Sequence, residues 1–154
     1  MVQNLKAIGY FDGASRGNPG EAGAGALIKD YNGKVLWQCA DYLGDKTNNE
    51  AEYNAVIRLL KAAAEMGVEE IKIHGDSNLV VKQLSRIGRI KEPRLAELAK
   101  EAWDAAKGMK VTYVWVPREY NKEADALSNK AIDDHWKAPE QEESERLEYS
   151  GLEM

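Results

Sequence analysis

The sequence predicts an α/β fold, a five-stranded mixed sheet with the element order βββαβααβα, flanked by helices. Two observations carry that expectation. The first third of the chain reads as short strand-like runs set around turn signals, and from Thr47 onward apolar residues recur at helical spacing. In the second half, short apolar runs alternate with helical patterns, which calls for crossovers that cover a mixed sheet.

Leu5–Asp12 reads as the first strand, with Leu5, Ala7, Gly9 and Phe11 on one face. The segment Gly13–Gly20 carries Gly13, Gly17, Asn18, Pro19 and Gly20 and is expected to turn. Ala24–Lys29 and Val35–Tyr42 read as the next two strands, and the Asn32-Gly33 pair between them is a hairpin signal. An antiparallel meander follows from these three. Thr47-Asn48-Asn49-Glu50 has the form of a capping box, and Glu52, Val56, Leu59, Leu60 and Ala63 continue at helical spacing to Gly67. Ile71–Gly75 is the fourth strand, and Ser77 caps a helix reaching Ile87. Pro93 opens another helix, with Leu95, Leu98, Ala102 and Ala106 on one face. Val111–Val116 is the fifth strand, and Asn121 caps a last helix that ends near Trp136.

With 154 residues, 44% of them hydrophobic, the chain can build one core. We place that domain at residues 1–138 and an acidic C-terminal tail at 139–154. No apolar run is long enough for a membrane span, and Met1–Lys6 does not open a secretory leader. A cytoplasmic monomer without membrane contact is expected. The single cysteine, Cys39, excludes an internal disulfide and a cysteine-rich metal site. The net charge of −5 argues at first against a nucleic-acid partner. Six Glu and one Arg after Ala138 account for all of it, so the body is neutral. Four metal-covered carboxylates would leave the rest of that body positive. A polyanionic substrate is therefore compatible with the composition.

Four acids fall at special positions. Asp12 and Asp76 end the first and fourth strands, where open α/β sheets place their sites. Glu52 and Asp125 lie in the first turns of two capped helices, whose N-termini favour negative charge. Each also has a plainer reading: a turn for Asp12, a helix cap for Asp76-Ser77, a solvated helix face for Glu52, a favourable helix-start charge for Asp125. Periodicity alone does not bring them together. If they do meet, two charges 4 Å apart repel by roughly 4 kcal/mol at an effective dielectric of 20. Hard cations such as Mg²⁺ or Mn²⁺ would relieve that repulsion.

The motif strings go further. Asp12-Gly-Ala-Ser-Arg-Gly-Asn-Pro-Gly20 with Ala22-Gly-Ala-Gly25, Thr47-Asn-Asn-Glu-Ala-Glu-Tyr53, Asp76-Ser77 and Asn121-Lys-Glu-Ala-Asp-Ala-Leu127 resemble the type 1 ribonuclease H family in order and spacing. The resemblance covers residues 5–136. It implies a ribonuclease H-like fold and endonucleolytic hydrolysis of the RNA strand of RNA–DNA hybrids by a two-metal-ion mechanism, with double-stranded RNA as a second candidate substrate. The products would carry 5′-phosphate and 3′-hydroxyl ends. Asp12, Glu52, Asp76 and Asp125 are then the catalytic ligands of two Mg²⁺ ions, for which Mn²⁺ can substitute. Glu50 is left to the capping box. Asn18, Asn48 and Asn49 are implied to read RNA 2′-hydroxyls, and Thr47 to contact a DNA phosphate.

The chain departs from many members of that family. Its loop Trp115-Val-Pro-Arg-Glu-Tyr-Asn121 has no histidine, so Arg118 or Glu119 is expected to fill the loop's role. In this it resembles the shorter archaeal and some bacterial members. His74 and His135 are expected to be structural, and Trp37, Trp103, Trp115 and Trp136 to pack in the core or at its edge rather than to stack bases. Only Gly88-Arg-Ile-Lys-Glu92 stands where a basic, Trp-rich handle is common, and a separate hybrid-binding domain before the first strand is not expected. Two other classes compete. A phosphate-loop reading of Asp12–Gly20, as in sugar kinases and actin-like ATPases, needs a duplicated second domain that 154 residues cannot hold. A binding module that had lost its chemistry would not need all four acids.

Overall fold

The computed structural model describes residues 5–137; the segment 139–154 expected as an acidic tail lies outside them. Five strands, β1 (Lys6–Ser15), β2 (Gly20–Lys29), β3 (Val35–Lys46), β4 (Glu70–Gly75) and β5 (Lys110–Trp115), form one sheet in the order β3-β2-β1-β4-β5. The helices are α1 (Asn48–Glu65), α2 (Asn78–Leu84), α3 (Pro93–Ala105) and α4 (Lys122–His135), with a 3₁₀ turn over Arg118–Tyr120. The β1–β2–β3 pairs are antiparallel, and β1, β4 and β5 run parallel. The mixed sheet and the order of elements match the expectation. Among the described residues no helix is long and apolar enough to cross a membrane.

Four boundaries differ from the sequence reading. β1 does not stop at Asp12 but continues to Ser15, and β2 starts at Gly20, so much of the glycine-rich segment is a paired ribbon. β3 likewise runs on to Lys46. α2 is short, ending at Leu84, and the chain passes through a left-handed residue at Arg86 (φ 61°).

Helices cover β2 on both sides, which explains its composition. Ala24, Ala26 and Ile28 face the core shared with α1. Gly23 and Gly25 face α4: a Cβ at Gly25 would stand 2.4 Å from Ala124 O, and one at Gly23 would stand 2.3 Å from Ser128 O. Strand propensity alone disfavours this run of small residues. It is a strand because both helices need to approach closely.

Candidate active site

β1 and β4 are in parallel register to Phe11 opposite Gly75, so the next residues, Asp12 and Asp76, emerge side by side. Asp12 is opposite Gly25, on the α4 side of the sheet. Glu52 arrives from the other side, in the second turn of α1. That helix starts in the predicted capping box: the Thr47 hydroxyl accepts from Glu50 N and the Glu50 carboxylate accepts from Thr47 N. Gly13 joins the two sides. A Cβ there would fall 2.3 Å from both Ala51 C and Glu52 N, so the bare backbone lets α1 rest directly on β1.

The result is a tight acidic group. Carboxylate oxygens of Asp12, Glu52 and Asp76 all lie within 4.8 Å of one another. Asp12 and Glu52 are buried, and Glu52 Oε2 has no hydrogen-bond partner. They sit in an open cleft of about 580 Å³ that is also lined by Arg16, Asn48, Trp115, Arg118, Asp125 and Asn129. Asp125 borders the same cleft from the first turn of α4 without belonging to the 4.8 Å group.

Burial dominates the electrostatics. It pushes the Asp12 carboxyl from 3.8 up to about 7, with the charges of Asp76 and Asp125 adding to the rise. It also holds Glu52 well above the carboxylate range, with Asp12 the next cause. Asp76 is raised by burial, an effect opposed by a hydrogen bond from Asn121 and by the charge of Arg118. Without a cation, then, the native protein keeps a proton that the unfolded chain has lost between pH 4 and 7. Fewer protons bound in the unfolded state mean that stability falls as pH rises. We expect the metal-free protein to lose stability across pH 4 to 7, by about 1.4 kcal/mol per pH unit for one retained proton. Mg²⁺ should reverse that loss. Urea melts in EDTA and in Mg²⁺ across that range check both; a metal-free stability that is flat or rising through pH 7 would contradict the cluster.

The other residues singled out from the sequence fall into two groups. Asn18, Thr47, Asn48 and Asn49 gather beside the cleft, where the turn after β1 meets the start of α1. The Asn18 amide oxygen accepts from Asn48 N at 3.0 Å, and Asn18 adopts a left-handed backbone (φ 35°). Arg118 stands on the rim, 82% exposed, with its guanidinium 4.0 Å from Asp125 Oδ1. His74 and His135 are away from the cleft, as expected. His74 stacks on Tyr10 and its Nδ1 lies 3.1 Å from Gly9 O, while His135 stacks on Tyr42.

Asn121 does occupy the position before α4, but its side chain does not cap it. It is buried and donates to Phe11 O at 2.9 Å, fastening α4 to the strand that carries Asp12. Trp115, at the end of the edge strand β5, is not a core residue. It is 48% exposed, lines the cleft, and donates its indole N–H to Asp76 O at 3.1 Å. Trp136 is exposed too, whereas Trp37 and Trp103 pack partly against the core. Arg16 and Asn129 were missed altogether.

Comparison with known proteins agrees with this geometry. A family model described as "Reverse transcriptase-like" matches residues 10–131. Ribonuclease HI of Halobacterium salinarum is 43% identical over 128 residues, 81% of this chain and 63% of that protein. The bifunctional protein Rv2228c of Mycobacterium tuberculosis is 40% identical over 132 residues, 84% of this chain but 36% of that protein. The chain thus spans less than two thirds of these two relatives. LC11-RNase H1, from compost, was solved in complex with an RNA/DNA hybrid. It superposes with a TM-score of 0.81 at 37% identity, covering 85% of this chain and 99% of that one. Sheet order, acidic cleft and these likenesses agree: the chain belongs to the type 1 ribonuclease H family.

Proposed function

We propose that this chain hydrolyses the RNA strand of RNA–DNA hybrids at internal positions, leaving 5′-phosphate and 3′-hydroxyl ends. The observation that carries the reading is the group of three carboxylates within 4.8 Å at an open cleft, with one buried oxygen of Glu52 unpartnered. A donor set of carboxylate oxygens without thiolate or imidazole fits Mg²⁺ or Mn²⁺. Asp12, Glu52, Asp76 and Asp125 would hold two such ions. When bound, they would supply an activated water and charge stabilisation for in-line phosphodiester displacement.

The chain's own residues do the rest. Asp12 and Asp76 are fixed by strand register, and Glu52 is fixed by the close approach at Gly13, so the ligands need little reorganisation. Arg118, on the rim beside Asp125, offers a cation to a substrate phosphate. Trp115 supplies an apolar wall beside Asp76. Asn18, Asn48 and Asn49 would read the minor groove, since an amide can both donate to and accept from a 2′-hydroxyl. Thr47 Oγ is already an acceptor in the capping box, which leaves its O–H to donate to a DNA phosphate. The hybrid complex of LC11-RNase H1 supports the substrate class. A cytoplasmic setting fits the lone cysteine.

A labelled hybrid, double-stranded RNA and double-stranded DNA, each incubated with the protein and Mg²⁺, test the reading. Cleavage inside the RNA strand of the hybrid with DNA duplex intact is expected; equal cutting of the DNA duplex would overturn it. The groove assignment has its own test. Asn49→Ala should raise KM for hybrid by about three- to tenfold, the worth of one hydrogen bond, and change kcat less. A fall in kcat at constant KM would place Asn49 elsewhere in the mechanism.

A further inference from the structure

The cleft contains a contact chain that joins Arg16 and Asp125, from two separate motifs, through Asn129, which belongs to neither. Arg16 leaves the ribbon after β1 and crosses to α4, where its guanidinium contacts Asp133 Oδ1 at 2.8 Å and donates to Asn129 Oδ1 at 3.2 Å. Asn129 in turn donates from Nδ2 to Asp125 O at 3.0 Å and to Asp125 Oδ1 at 3.3 Å. Arg118, 4.0 Å away, approaches the same oxygen, Oδ1. A carboxylate gripped through one oxygen keeps the other as a ligand atom.

The base of this chain is firm. Arg16 N donates to Glu21 O at 2.9 Å, the Ser15 hydroxyl donates to Lys46 O at 2.7 Å, and Asn18 ties the same turn to α1. Arg16 therefore reaches α4 from an anchored backbone. Its fork geometry matters: one guanidinium serves both Asn129 and Asp133, which an ammonium cannot reproduce in the same plane. By taking Asn129 Oδ1, Arg16 settles which end of that amide faces Asp125, since an amide reversed would turn an acceptor toward a carboxylate. Asp125 is also the acid outside the tight group of three, so its orientation depends most on such support.

We infer that Arg16 and Asn129 are positioning residues that together fix the Asp125 carboxylate for metal binding. The inference rests on the hybrid-cleaving reading above for its kinetic arm and not for its binding arm. The exposed Arg16–Asp133 pair contributes little to stability, so its loss leaves the fold intact. Residues that orient metal ligands typically govern ten- to hundredfold in affinity or activity.

The experiment uses the full chain as wild type, Arg16→Ala, Arg16→Lys, Asn129→Ala and the Arg16→Ala/Asn129→Ala double variant. Calorimetric titration with Mn²⁺ alone reads the site without turnover, and hybrid cleavage supplies kcat and KM. We expect each alanine variant to bind Mn²⁺ about tenfold more weakly and to lose about tenfold in kcat, with KM within twofold. The double variant should be no worse than either single one, because both act through one contact. Arg16→Lys should restore only part of the loss. Unchanged Mn²⁺ affinity, or additive losses in the double variant, overturn the inference. A rise in KM at constant kcat in Arg16→Ala also overturns it and makes Arg16 a direct phosphate contact. If the wild type cuts no hybrid, the functional reading fails while the Mn²⁺ titrations still decide the coupling.

Discussion

Asp12→Asn is expected to abolish cleavage, lowering kcat at least a thousandfold, while the fold survives and the metal-free protein melts higher. Asp12 lies among the oxygens of Glu52 and Asp76, so its charge would be shared by any cation bound there. An amide retains the size of the side chain and removes the anion. The stability effect runs the opposite way because burial already holds the Asp12 carboxyl up at about 7, so its ionised form is costly. Above pH 7 in EDTA, Asp12→Asn should raise Tm by roughly 10 degrees, as relief of about 4 kcal/mol, about three pH units at about 1.4 kcal/mol each, does in a domain of this size. In Mg²⁺ the advantage should shrink or reverse, since the wild type gains binding energy that the variant has lost. Cleavage rates together with melts under both conditions check the pair of effects. An active variant, or one destabilised in EDTA, would remove Asp12 from the centre of the site.

Gly13→Ala is expected to cost about 3 kcal/mol, the upper range for overpacking, and to lower kcat about a hundredfold. The added Cβ would meet backbone atoms, Ala51 C and Glu52 N at 2.3 Å, and not the flexible end of a side chain. Relief requires α1 to lift from β1, and Glu52 leaves Asp12 as it does. Urea unfolding and cleavage kinetics read both losses. The contrast is Gly33→Ala, in a left-handed turn with open space around it: some strain there, but full activity once folded. A Gly13→Ala protein as stable and active as the wild type would show that the helix tolerates the shift and that close approach does not set Glu52.

Some of this site was legible in the residues and some was not. The change from strand to helical period at Thr47, the Asn32-Gly33 hairpin and the capping box are local patterns, and each occurs where the sequence placed it. The adjacency of Asp12 and Asp76 followed once β1 and β4 were parallel neighbours. The length of β1 and β2 was hidden because Gly13, Gly20 and Gly23 look like turn residues. Gly13 and Gly23 are small because helix backbones press against the ribbon, and Gly20 because the backbone of Arg16 and Gly17 folds back onto it, tertiary and turn demands with no local signature. Asn121 looked like a cap by position, yet its amide goes to Phe11 O, more than a hundred positions back. The Arg16–Asn129 contact spans a similar separation, and Asn129 lies outside the quoted motifs. Trp115 could not be told from core tryptophans because strand alternation does not reveal that β5 ends beside an open cleft.

The central claim is that the acidic cluster works as a hard-cation site for hydrolysing a hybrid. Its most direct test is the rate of cleavage of a labelled RNA–DNA hybrid by chelated protein as Mg²⁺ is titrated back. The account predicts no cleavage in EDTA, recovery with Mg²⁺ or Mn²⁺ in the wild type, and no recovery in Asp76→Asn at any concentration. Full activity after exhaustive chelation, or recovery with zinc alone, would contradict it.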